Sequence, residues 1–143
     1  MSIIYIIGDL LDQETIAHQC NCVSSSGKGL YTSVVLKYPW ADIYRQRTKN
    51  SIPGTILQMG NVIHMFSQYY PSGPNNTNDT KSLRLQWFNN CLNQISKLNI
   101  TSVSFPHYIG CGLARGNWDD YHNCIKEFAK TNPHINVYIV KKE

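Results

Sequence analysis

An α/β fold is predicted by three features of the sequence. Short apolar runs bounded by turn residues alternate along the chain with stretches whose apolar residues recur every three to four positions. Two glycine-bearing segments, SSSGKGL and IGCGLARGNW, each follow a predicted strand and open a predicted helix. No internal repeat divides the 143 residues, which are read as one domain over 1–143.

The elements follow in order. Ile3 to Ile7 is a short apolar run stopped by Gly8-Asp9, a first strand. Thr15 to Cys20 is a second strand, and it delivers the segment HQCNCVSSSGKGL. From Gly29 to about Arg47, Leu30, Val34, Tyr38 and Ile43 keep a helical spacing that Pro39 interrupts. Pro53-Gly54 marks a turn; Thr55 to Met59 and Asn61 to Phe66 then read as a hairpin closed at Gly60. The segment QYYPSGPNNTNDT is a loop by composition. An amphipathic helix follows, with Leu83, Trp87, Cys91, Ile95 and Leu98 on its inner face and Thr80 or Asp79 as its N-cap. Val103 to Phe105 is a strand leading into PHYIGCGLARGN. Trp118, Tyr121, Ile125 and Phe128 mark the last helix, capped by Asn117, and Asn136 to Val140 is the final strand.

Composition narrows the function. A 42% hydrophobic content supports a packed core, and 15% charged residues argue against disorder. A net charge of +4 suits an anionic ligand, but the basic residues are scattered apart from a loose group at Lys37, Arg45, Arg47 and Lys49, short of the basic stripe of a duplex binder. No signal-peptide pattern and no apolar run of membrane-spanning length is present, so a cytoplasmic or nuclear protein with no membrane partner, acting as a monomer, is expected. Five irregularly spaced cysteines are expected to be reduced thiols. Cys20-x-Cys22, His107-x3-Cys111 and His122-x-Cys124 lack the local spacing of a zinc motif, so neither metal nor cofactor is expected.

The two glycine segments carry the chemistry. A helix N-terminus presents unpaired N–H groups and a partial positive charge, and two of them at one sheet edge make an anion-binding crevice. There is no GxxxxGK[ST] run and no complete GxGxxG after the first strand, so nucleotide hydrolases and dinucleotide-binding folds are unsupported. His18, beside the first glycine segment, is a candidate polar site residue, and Cys111 stands where a helix dipole would lower its pKa.

Taken in order, GDLL after the first strand, HQCN and GKGL after the second, PHYIGCGLARGNW after a late strand and NVYIV at the end resemble the macro domains, a family that binds ADP-ribose. The resemblance covers essentially the whole chain. It is greatest to the compact branch that holds ADP-ribose 1''-phosphate phosphatases and terminal ADP-ribose glycohydrolases. It implies a three-layer α/β/α domain with a mixed central sheet and a ligand cleft at the C-terminal ends of the strands. By this resemblance Asp9 would bind the adenine amine from a buried carboxylate, the Leu10 backbone would support the ring, and Tyr138 would pack against it. Asn21 would contact the distal ribose. Gly27, Lys28, Gly29 and Leu30 would form a loop over that ribose and its phosphate, and Ile109, Gly110, Cys111, Gly112, Leu113 and Ala114 would wrap the diphosphate through backbone N–H groups.

The chain departs from the glycohydrolase pattern. Gln68 stands where that subclass has a lysine nucleophile, and Ala114 where it has an aspartate; Tyr31 replaces a small residue after the first loop. The resemblance therefore favours hydrolysis of ADP-ribose 1''-phosphate without a metal, with His18 as general acid or base and Asn21 orienting ribose or water. The alternatives are an ADP-ribosyl hydrolase acting on modified protein or nucleic-acid ends, and a reader that binds ADP-ribose without turnover.

Overall fold

A computed structural model describes residues 3–74, 76–112 and 114–143. Six strands form one sheet: β1 (Ile4–Ile7), β2 (Ile16–Asn21), β3 (Ile56–Met59), β4 (Val62–Gln68), β5 (Ser102–Pro106) and β6 (Asn136–Lys141). Four helices accompany them: α1 (Leu30–Lys37), α2 (Ile43–Gln46), α3 (Lys81–Ile95) and α4 (Trp118–Thr131). The spatial order is β1-β6-β5-β2-β4-β3, with every pairing parallel except β3 on β4. The mixed α/β/α sandwich expected from the resemblance is thus present. Among the described residues no helix is long and apolar enough to cross a membrane.

Alternation along the buried strands sends neighbouring residues to opposite layers. Ala17, Ile63, Met65, Phe105, Val137 and Ile139 pack under Phe88, Cys91, Leu92 and Ile95 of α3 and Tyr121, Ile125 and Phe128 of α4. On the other face Ile16, Val62 and Val140 meet Leu10, Val34 and Ala41, while Cys20, Cys22 and Phe66 meet Tyr31 and Tyr44.

Two expectations need revision here. The helical stretch after Gly29 breaks into α1, a 3-10 turn at Pro39–Ala41 and α2, because Pro39 ends the first helix and Asp42 caps the second by accepting from the Arg45 N–H. The inner face of α3 is centred on Arg84, Phe88, Cys91, Leu92 and Ile95, with Leu83 and Trp87 only half-buried. The apolar stripe suggested the wrong centre because a fully buried arginine occupies its first turn. Thr80, as anticipated, caps α3 by accepting from Leu83 N–H, and Asn117 caps α4 by accepting from Asp120 N–H.

Candidate functional site

A cleft of about 570 Å³ opens at the C-terminal ends of β2, β4 and β5. That volume is in the range of small-molecule sites. Gln19, Asn21 and Gln68 line it from the sheet, Ser24 and Ser26–Leu30 from one side, and Pro106–Gly110, Gly112 and Ala114 from the other.

Asn21 is held in place from behind. Its carboxamide oxygen accepts from Val23 N–H at 3.0 Å and Ser24 N–H at 2.8 Å, and its backbone N–H donates to the Tyr44 hydroxyl at 2.8 Å. Arg47 donates to the Asn21 carbonyl at 3.1 Å and to the Ser24 carbonyl at 2.7 Å, while its guanidinium lies over the Tyr44 ring at 4.7 Å. The oxygen being committed to the loop, the Asn21 amide nitrogen is the group offered to a ligand. Arg47, part of the loose basic group in the sequence, spends its donors on this loop. Beside Asn21, Gln68 accepts from Gln19 at 2.7 Å and donates to the Tyr70 carbonyl at 2.8 Å. The Gln19 side-chain oxygen is buried with no partner among the described residues.

The first loop runs Ser24 to Gly29 into α1, whose N-cap Gly29 has φ 61° and no side-chain cap. A Cβ on Gly27 would lie 2.0 Å from the Tyr31 ring. Tyr31 lines the cleft and is held in place there. It is buried, stacks on Tyr44 at 4.0 Å, donates to Asp42 at 2.7 Å and accepts from Tyr44 N–H at 3.0 Å.

The second loop is a series of tight turns. Ile109 N–H donates to the Pro106 carbonyl and Cys111 N–H to the Tyr108 carbonyl, so those two donors are unavailable for a diphosphate. No described residue accepts from Gly110 or Gly112 N–H. Gly110 has φ 78°, and a Cβ there would meet Tyr121 at 2.7 Å and Gln19 Oε1 at 3.0 Å, so only glycine fits. The loop is anchored by Arg84, which is 1% exposed. Arg84 pairs in two bonds of 2.7 Å with Asp79 and donates to the carbonyls of Tyr70, Ser72, Gly73 and Ala114. It thereby fastens the 70–73 segment to the 114 segment across one end of the cleft. Burial would raise the Asp79 carboxyl, but the hydrogen bonds from Arg84 and Tyr70 N–H outweigh it and hold the group below the usual carboxylate range.

Of the residues expected at the site, Asn21, Gly27, Lys28, Gly29, Leu30, Ile109, Gly110, Gly112 and Ala114 line the cleft. Leu113 lies outside the described residues. His18 does not line it: β2 turns its ring to the α1 layer, 1% exposed, where Nε2 lies 2.8 Å from His64 Nδ1. Burial, with His64 beside it, pushes its pKa well below the ordinary value, which disfavours the imidazolium form. Tyr138 likewise faces the second cluster with Leu10 and Val140 rather than the cleft. Asp9 is exposed, not buried, and caps the turn after β1 by accepting from Leu11 N–H at 2.9 Å. The cleft stops short of Asp9 and Leu10. The Cys111 thiol does not line it either; burial pushes it up to about 11, the opposite of activation. Gln19, Tyr44, Arg47, Asp79 and Arg84 were not anticipated. Gln19 shares strand parity with Asn21, the one sequence signal that marks it. Among the described residues the one cluster of three metal-ligand side chains is His18, Cys20 and His64, outside the cleft.

No protein-family model and no curated protein matches the chain. Solved structures do. It superposes on the macrodomain of Mycobacterium tuberculosis DarG with a TM-score of 0.73 at 23% identity, over 96% of each chain. For the macrodomain of Thermus aquaticus DarG the TM-score is 0.69 at 17% identity, over 96% of this chain and 97% of that one. A mutant of the Oceanobacillus iheyensis macrodomain with ADPR gives 0.61 at 17% identity, covering 96% and 83%. With the strand order, the flanking helical layers and the cleft already in hand, these likenesses establish that the chain has the macro domain fold.

Proposed function

We propose that the chain binds ADP-ribose in the cleft, with the distal ribose against Asn21 and the diphosphate between the two glycine loops. The observation that carries this reading is the pair of glycine-bearing loops facing each other across the sheet edge. Gly29 opens α1 on one side, and the Gly110 and Gly112 N–H groups stand without described acceptors on the other. Backbone donors of this kind meet a diphosphate without a metal. The ADPR in the Oceanobacillus structure agrees with it. The adenine end runs from His107 towards Asp9: His107 N–H donates to the Val140 carbonyl and Gly8 N–H to that of Lys141, so the ends of β5, β6 and β1 adjoin. Asp9, using the oxygen not engaged by Leu11, is the acceptor proposed for the adenine amine.

A second reading is hydrolysis of ADP-ribose 1''-phosphate, favoured by Lys28, a cation lining the cleft beside the phosphate-binding backbone. No carboxylate is among the described lining residues, and the imidazole there is His107 rather than His18. Proton transfer in such a phosphatase therefore falls to His107 or Lys28. Removal of ADP-ribose from protein or nucleic-acid ends has less support, since neither Gln68 nor Ala114 supplies a nucleophile or acid. Incubation with ADP-ribose 1''-phosphate and with ADP-ribosylated protein, side by side, separates these cases. Phosphate release from the first alone, lost in Lys28→Ala or His107→Ala, supports the phosphatase; tight ADP-ribose binding with no turnover of either leaves a reader.

A further inference from the structure

We propose that His18, Cys20 and His64 form a buried structural site for a d10 metal ion, zinc(II) or copper(I), that cross-links β2 to β4 beneath the cleft. His18 and Cys20 are two residues apart on β2 and so share a face, and β4 sets His64 directly opposite His18 in register. Cys20 Sγ lies 3.6 Å from His18 Nε2 and 3.5 Å from His64 Nδ1. In a tetrahedral zinc site with bonds of about 2.0–2.1 Å to nitrogen and 2.3 Å to sulfur, N···S edges come to about 3.5–3.6 Å. Both observed edges are of that length, but Sγ also lies 3.9 Å from His18 Nδ1, beside the imidazole rather than ahead of Nε2, so the His18 ring must turn to aim Nε2 at a shared ion. The N···N edge is 2.8 Å against an ideal of about 3.3 Å.

The surroundings suit a thiolate ligand. The Tyr44 hydroxyl accepts from Asn21 N–H, and Arg47 lies over the same ring. Thiolate with two imidazoles is a ligand set for soft or borderline ions. All three side chains are at most 1% exposed, behind Tyr31 and Tyr44, so the ion enters as the chain folds and its role is structural. Cys20 precedes Asn21 and His64 lies on the strand that ends at Gln68, so the cross-link fixes the two strands that carry the cleft floor. Local spacing hid this set because one of its members lies on another strand.

The test is to refold the full chain from metal-free denaturant with zinc(II), with copper(I) kept reduced, and with cobalt(II), then remove unbound ion and measure metal content, absorbance and melting. Stoichiometric retention of zinc or copper(I), a raised melting temperature, and a thiolate-to-cobalt charge-transfer band are expected, and which ion is retained identifies the occupant. Cys124→Ser should keep all three signals. Cys20→Ser should lose the band; if it fails to fold, the wild-type cobalt spectrum decides. Wild-type chain that regains its fold while retaining less than about a tenth of an equivalent of each ion, with unshifted melting, overturns the site. Retention unchanged in folded Cys20→Ser overturns the ligand assignment. None of these readouts depends on ADP-ribose.

Discussion

Replacing Arg84 by alanine tests how the cleft wall is built. The guanidinium is buried, makes two 2.7 Å bonds to Asp79, and donates to four backbone carbonyls from Tyr70 to Ala114. Removing it leaves a fully buried carboxylate with Tyr70 N–H as its remaining described partner. Breaking one side of a buried pair costs about 3–5 kcal/mol. With an unfolding entropy of about 2.1 cal/mol/K per residue, a chain of 143 residues has about 0.3 kcal/mol/K, so Tm should fall by about 10–15 °C. Circular dichroism melts, with urea unfolding as a second probe, measure it. The double variant Arg84→Met with Asp79→Leu should recover much of the loss, because it buries no unpaired charge. A single-variant Tm within about 2 °C of the parent would refute the clamp, since that corresponds to less than about 1 kcal/mol.

Two further outcomes follow from the same geometry. Gly110→Ala places a methyl group 2.7 Å from Tyr121 at φ 78°; it should destabilise the chain by about 1–3 kcal/mol in urea unfolding and weaken ADP-ribose binding at least about tenfold by calorimetry. Asp79 is held below its unfolded value, so the folded chain stays deprotonated where the unfolded chain takes up a proton. Its contribution is complete above about pH 4 and is lost as pH falls through the folded value; urea unfolding across pH 5 to 2 should therefore show a steeper acid loss in the parent than in Asp79→Asn.

The fold was legible because strand runs and helical stripes alternate cleanly, and because Gly29, Thr80 and Asn117 mark helix starts. The two glycine loops were legible for the same reason. Side-chain direction was not. β2 and β6 are covered on both faces, so an apolar pattern does not reveal which parity meets the cleft. His18 was assigned to the ligand and belongs to the opposite layer, and Tyr138 packs with Leu10 outside the cleft; Gln19, with the parity of Asn21, was passed over. Asp79 read as a candidate N-cap and Arg84 carried no signal, since their burial depends on carbonyls from two distant loops. His64 becomes a partner of His18 through strand register, which no local spacing displays.

Calorimetric titration of the full chain with ADP-ribose, and in parallel with AMP, tests the central claim most directly. The two glycine loops and Asn21 address the diphosphate and distal ribose, so ADP-ribose should bind in the micromolar range, about −8 kcal/mol at 1 μM. AMP, lacking the second phosphate and the distal ribose, should bind far more weakly. Absence of heat with ADP-ribose at protein concentrations well above micromolar, or equal affinity for AMP, would contradict the account.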